Sequence, residues 1–154
     1  MRIILALDTS LSSEPLIEAV CAHKWPSSTE FRILTVVEPL PLVAQENIQK
    51  NWGQVLSEID IERQQQAELL CVQAREKLLS ALPDCIIHFE VRQGHPQSQI
   101  VDAAAQWSAD KIILGAKGRA ACPRFLVGSV SNAVVNHAPC SVEIIRKKED
   151  SITD

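Results

Sequence analysis

The sequence predicts an α/β fold: one doubly wound sheet of five parallel strands in the order 3-2-1-4-5, with helices on both faces. Three observations carry this. Short, near-continuous apolar runs, the mark of strands covered on both sides, alternate with longer stretches whose apolar residues recur at steps of three and four. The alternation is strand–helix four times and then a final strand, which calls for crossover connections and hence a parallel sheet. Residues 110–135 (DKIILGAKGRAACPRFLVGSVSNAVV) run strand, glycine-punctuated loop, helix start. This puts a polar loop after the fourth strand. In this strand order the chain changes direction between the first and fourth strands, and open sheets bind ligands in the crevice there.

Each element has its own signature. Residues 2–6 (RIILA) are the first strand, ended by Asp8, Thr9 and Ser10. Ser12, Ser13, Glu14 and Pro15 open a helix, Pro being tolerated in a first turn. Leu16, Ile17, Ala19, Val20 and Ala22 form its buried side, and Pro26-Ser27-Ser28 closes it. Residues 30–37 (EFRILTVV) are the second strand, stopped by the prolines at 39 and 41, which cannot donate to a ladder. From about Gln45 to Leu82 the apolar residues, Trp52, Val55, Leu56 and Ile59 through Ala67, Cys71, Ala74 and Leu78, predict one long helix with a buried stripe and an irregular start near Gly53. Residues 86–91 (IIHFEV) are the third strand, and 97–107 the helix after it. Residues 110–114 and the strand from Ser141 to Arg146 (SVEIIR) are the fourth and fifth, with a helix from Ser129 between them. Residues 1–147 make one domain, and 148–154 a charged tail.

Bulk properties set limits. A chain of 154 residues with 46% apolar and 22% charged residues suits one globular domain. A net charge of −4 and the lack of a basic stripe argue against nucleic acid as the main partner. The opening run is too short and wrongly flanked for a signal peptide, and no run approaches a membrane span. Five scattered cysteines without a Cys-x-x-Cys read as reduced thiols, hence a cytoplasmic protein. Cys122 lies near Arg119 and Arg124, where cations lower a thiol's pKa, but an inert thiol is the default.

The loop after the fourth strand carries the chemistry. Gly115, Gly118 and Gly128 allow φ > 0 and close backbone approach, and the free N–H groups of a helix's first turn point at whatever sits before it. Ser129 stands at the helix start, as a cap or as a hydroxyl for a phosphate oxygen. Lys117, Arg119 and Arg124 put three cations into eight residues. Glycines after a strand also make plain turns, and a helix-start Ser is often only a cap. The coincidence of these features favours an anion site, a phosphate-binding loop. A Walker A sequence and a Gly-x-Gly-x-x-Gly after the first strand are both absent. His23, His88, His95 and His137 lack metal-ligand spacing. His95 reads as a turn residue, and His137 as the end of a helix.

These residues resemble the universal stress protein family. Gly115, Gly118, Gly128 and Ser129 reproduce the Gly-x2-Gly-x9-Gly-(Ser/Thr) motif of its ATP-binding branch. The segment GSVSNAVVNHAPCSV, Asp8-x-Ser10 and Gly94-x-Pro96 fit as well. The resemblance implies ATP or a related adenine nucleotide as ligand, with Mg2+ or Mn2+ bridging phosphate oxygens. It places Asp8 against the ribose, with Thr9 and Ser10 beside it, and backbone groups of Val36 or Val37 against adenine. Gly115 and Gly118, flanked by Lys117 and Arg119, would meet the ribose and first phosphates. Gly128, Ser129 and Val130 would cradle the distal phosphates, with Ser131 a further hydroxyl donor. It also implies a homodimer pairing the last strands. Thr9 where the family often has Gly, Cys122 and Pro123 inside the loop, and Ser141 in place of Pro depart from the pattern.

Three functions compete at this point. A nucleotide-binding stress or signalling dimer uses every feature above. A slow ATPase, or a phosphoryl or adenylyl transferase, needs a positioned base, and Asp8 has no matched acid or nucleophile in the sequence. A structural dimer uses the loop only to brace a strand–helix corner.

Overall fold

The first strand, β1 (Arg2–Leu7), lies at the centre of the sheet, because its run RIILAL is apolar towards both faces and is buried from Ile3 onward. Around it stand β2 (Glu30–Val37), β3 (Ile86–Gln93), β4 (Lys111–Gly115) and β5 (Ser141–Ile145), all parallel, in the predicted order β3-β2-β1-β4-β5. The helices are α1 (Ser13–Ala22), α2 (Trp52–Ala81), α3 (Pro96–Trp107) and α4 (Ser129–His137). This computed structural model describes residues 1–9, 13–40, 52–116 and 127–146. The expected helix start at Ser12, the segment from Gln45 to Asn51, most of the glycine loop with Cys122 and Pro123, and the tail lie outside them.

The alternation of side chains along β1 divides the core in two. Ile3, Leu5 and Leu7 face α1 and α2, where they meet Leu16, Ile17, Val20, Cys71, Ala74 and Leu78. Ile4 and Ala6 face α3 and α4, against Ile100, Ala103, Ala104 and Val134. Each face therefore buries a continuous apolar layer, the main stabilising term of the fold. Helices after β1 and β2 lie on one face and those after β3 and β4 on the other. The chain thus leaves β1 and β4, which are neighbours, in opposite directions.

Two boundaries differ from the sequence reading in an instructive way. Pro96 is the first residue of α3, and His95 is its N-cap without a side-chain bond. Among the described side chains the buried stripe of α2 begins at Ala67: Val55 is 41% and Ile59 38% exposed. With 30 residues, α2 is about 45 Å long, whereas the eight-residue strands β2 and β3 span about 26 Å. Its later half packs on the sheet. Its earlier half projects past the carboxyl edge, and among the described residues no strand lies beneath it.

Candidate functional site

The register fixes which residues share the crevice. β1 pairs with β2 as far as Leu7 opposite Thr35, and with β4 as far as Ala6 opposite Leu114. One step further on, Asp8 and Thr9 leave β1, Val36 and Val37 end β2, and Gly115 and Ala116 end β4. The predicted candidates Asp8, Thr9, Val36, Val37 and Gly115 therefore meet at one sheet edge. Gly128, Ser129, Val130 and Ser131 reach it from the start of α4, since the Gly128 amide donates to the Ala116 carbonyl at 2.7 Å. Ser10, Lys117, Gly118 and Arg119 lie outside the described residues.

On the β4 side the corner is tightly bonded. The Ala116 amide donates to the Ile145 carbonyl at 2.9 Å, continuing the ladder to β5. Gly128 is the N-cap of α4, with φ −72° and ψ 165° and no side-chain cap. Two details of the sequence reading change here. The cap is Gly128, while Ser129 is the first helical residue and is exposed. Gly128 also has an extended backbone that any residue adopts, so the expected φ > 0 is not what glycine supplies there. Ser131 faces inward: it is 3% exposed, and its hydroxyl donates to the Gly115 carbonyl at 2.8 Å and stands 3.4 Å from the Ala116 carbonyl.

On the β1 side a second serine acts in the same way. Ser13, the first residue of α1, is 4% exposed; its hydroxyl donates to the Asp8 carbonyl and lies 3.4 Å from Asp8 Oδ1. The sequence showed Ser13 only as part of a helix opening. The available signal was its place one turn after a strand-end carboxylate. Asp8 and Thr9 are half-buried.

At the end of β2 the two valines differ. The Val37 carbonyl accepts from the Gly94 amide at 3.1 Å, so Val37 turns its peptide groups towards the β3 side. Alternation then turns those of Val36 towards β1, which has already ended at that level. Gly94 has φ 135°, a conformation that suits glycine. His95 follows it, with Nδ1 3.8 Å from the Glu38 carboxylate, one strand away from the crevice. His137 ends α4, its ring Nδ1 2.9 Å from the Ala133 carbonyl.

Above the edge, Thr9 and residues of α2 line a cleft of about 240 Å³ with Gln66, Leu69, Leu70 and Gln73. Among the described residues no three His, Cys, Asp or Glu side chains gather to hold a metal. Cys21, Cys71, Cys85 and Cys140 are free, and burial pushes each thiol up. No described helix is long and apolar enough to cross a membrane.

Comparison with known proteins places this geometry in a family. The model of the "Universal stress protein family" matches residues 1–146. Universal stress protein Sll1388 of Synechocystis sp. is 29% identical over 94% of this chain and 97% of its own. Universal stress protein MJ0531 of Methanocaldococcus jannaschii is 38% identical over 61 residues, 40% of this chain; that match spans 36% of the relative's length. Among solved structures, MJ0577 superposes with a TM-score of 0.81 at 21% identity, over 97% of both chains. A universal stress protein from Arabidopsis thaliana with AMP bound has a TM-score of 0.62 at 15% identity, over 97% of this chain and 94% of that one. A universal stress protein in complex with cAMP has 0.61 at 17%, over 95% and 96%. At these identities the likeness is one of fold.

Proposed function

This chain belongs to the universal stress protein family, and on that footing we propose that it binds ATP or a related adenine nucleotide in the crevice between β1 and β4. The observation that carries the reading is the convergence there of a carboxylate, Asp8, with the amide-rich start of α4, held 2.7 Å from the end of β4 through Gly128 and Ala116. Backbone N–H groups at a helix start suit phosphate, and a carboxylate opposite them suits ribose hydroxyls. AMP and cAMP in structures of like fold support an adenine nucleotide. In this reading Asp8 meets the ribose, with Thr9 and Ser10 beside it. Val36 presents backbone groups to adenine, in preference to Val37, whose carbonyl is already bonded. Gly115, Lys117, Gly118 and Arg119 line the first phosphates, and Gly128, Ser129 and Val130 the distal ones. Mg2+ or Mn2+ would enter with the nucleotide and offset the charge of its phosphates.

The nucleotide is a ligand that biases the protein's conformation or partner choice, which requires it to bind one state better than another. The protein acts as a stress or signalling homodimer built from domain 1–147, joined through its edge strand β5. The free thiols suit a reducing compartment, the cytoplasm.

The test is thermal unfolding with and without millimolar ATP and Mg2+. Wild type should shift upward by mass action. Gly128→Val should bind at least roughly tenfold more weakly. Valine adopts the Gly128 backbone angles without strain, so its side chain would obstruct the phosphates while the fold survives. No shift in the wild type removes the reading. Steady ATP turnover abolished by Gly128→Val would instead favour the alternative, a slow ATPase or transferase.

A further inference from the structure

Buried serines are uncommon enough to ask what each does, because a hydroxyl taken from water needs a partner. The two buried serines among the described residues, Ser13 and Ser131, have the same partner type. Each sits in the first turn of the helix that follows a crevice strand, and each donates to a backbone carbonyl at that strand's end: Ser13 to Asp8, Ser131 to Gly115. The second bond is reinforced by the Gly128 amide on the Ala116 carbonyl. Carbonyl oxygens carry partial negative charge, and at a strand end they are free to turn towards a ligand. Beside a polyphosphate such a turn is repulsive. Tied to the helix, the same carbonyls are occupied, and the amide edges are left for the anion.

We propose that Ser131 and Ser13 are positioning residues, Ser131 holding the β4–α4 corner in the shape that accepts phosphates and Ser13 holding the Asp8 turn that meets the nucleoside. This rests on the nucleotide reading above. It replaces the expectation that Ser131 reaches the phosphates itself: its hydroxyl bonds the Gly115 carbonyl and stands 3.4 Å from the Ala116 carbonyl that the Gly128 amide also bonds, and through this pair it acts on the start of α4 that meets the distal phosphates.

The roles separate by ligand. ATP and AMP share the nucleoside and differ in the distal phosphates. Calorimetric titration of the full chain with each nucleotide and Mg2+ gives the ratio of their affinities. Ser131→Ala should weaken ATP about tenfold and AMP by much less, so the ratio falls. Ser131→Thr, which keeps the hydroxyl, should restore it. Ser13→Ala should weaken both nucleotides by a similar factor and leave the ratio unchanged. If Ser131→Ala does not fold, Ser131→Cys, which keeps the volume with a weaker donor, carries the same expectation. Wild-type binding with both alanine variants within twofold of it overturns this inference alone. So does Ser131→Ala weakening ATP and AMP equally, the mark of general loosening. A wild type that binds neither nucleotide overturns the nucleotide reading and this inference with it.

Discussion

Cys71 shows how a single side chain sets a property of the whole. It is fully buried on α2, and its thiol donates to the Thr35 hydroxyl at 3.3 Å. Burial pushes the thiol up; the Thr35 bond opposes this, and the nearby Glu68 charge adds to it. The folded state therefore holds its proton more tightly than the unfolded chain. Stability from this group is fully present below the ordinary thiol range and falls as pH rises through the raised value. The chain has no tyrosine to confuse that window. Urea titrations should show stability declining above the thiol range, with a smaller decline in Cys71→Ala; a flat profile to about pH 10 refutes it. Gly94 gives a second case. At φ 135°, an added Cβ would stand 3.0 Å from Gln99 Nε2 and be strained by the backbone itself. Gly94→Ala should cost about 1–3 kcal/mol in the same assay, and an unchanged midpoint would contradict the strain.

At the scale of elements, α2 separates what the sequence can say from what it cannot. Apolar spacing located the helix over Trp52–Ala81 and its inward face from Ala67 onward, because periodicity is a property of the helix alone. It could not tell where the sheet beneath it stops, since that depends on the length of β2 and β3. Hydrogen exchange should read the boundary directly. Amides of residues 67–78 should be protected near the global limit, and those of 55–61 should exchange by local opening, at least roughly tenfold faster. Uniform protection along α2 would refute the overhang. The candidate site divides in a similar way. Strand ends and glycine spacing brought Asp8 and the start of α4 to one edge on paper. The donor role of Ser13, the inward turn of Ser131 and the difference between Val36 and Val37 depend on bonds between segments far apart in sequence, so no local pattern contains them.

At the scale of the molecule, the two sheet edges are unlike. On β3, the Arg75 guanidinium donates from α2 to the Ile87 carbonyl at 3.1 Å, which blunts that edge against another strand. β5 is the other edge, and its residues from Val142 to Ile145 are half-buried. This contrast supports the proposed homodimer through β5. Sedimentation at micromolar concentration should give a dimer; a monomer there refutes the pairing.

The central position of β1 has a further effect, on time rather than shape. The Arg2 amide is bonded to Asp110 at 2.7 Å across 108 residues of chain, and β1 and β4 pair alongside. Contacts of such long sequence separation are costly to close and tend to form late in folding. Asp8 and the α4 corner come from opposite ends of the chain, so neither half can assemble the pocket alone. A molecule bridging the two would act as a latch, fastened once the chain has come together, and its mark would be slower unfolding with the refolding rate left almost unchanged.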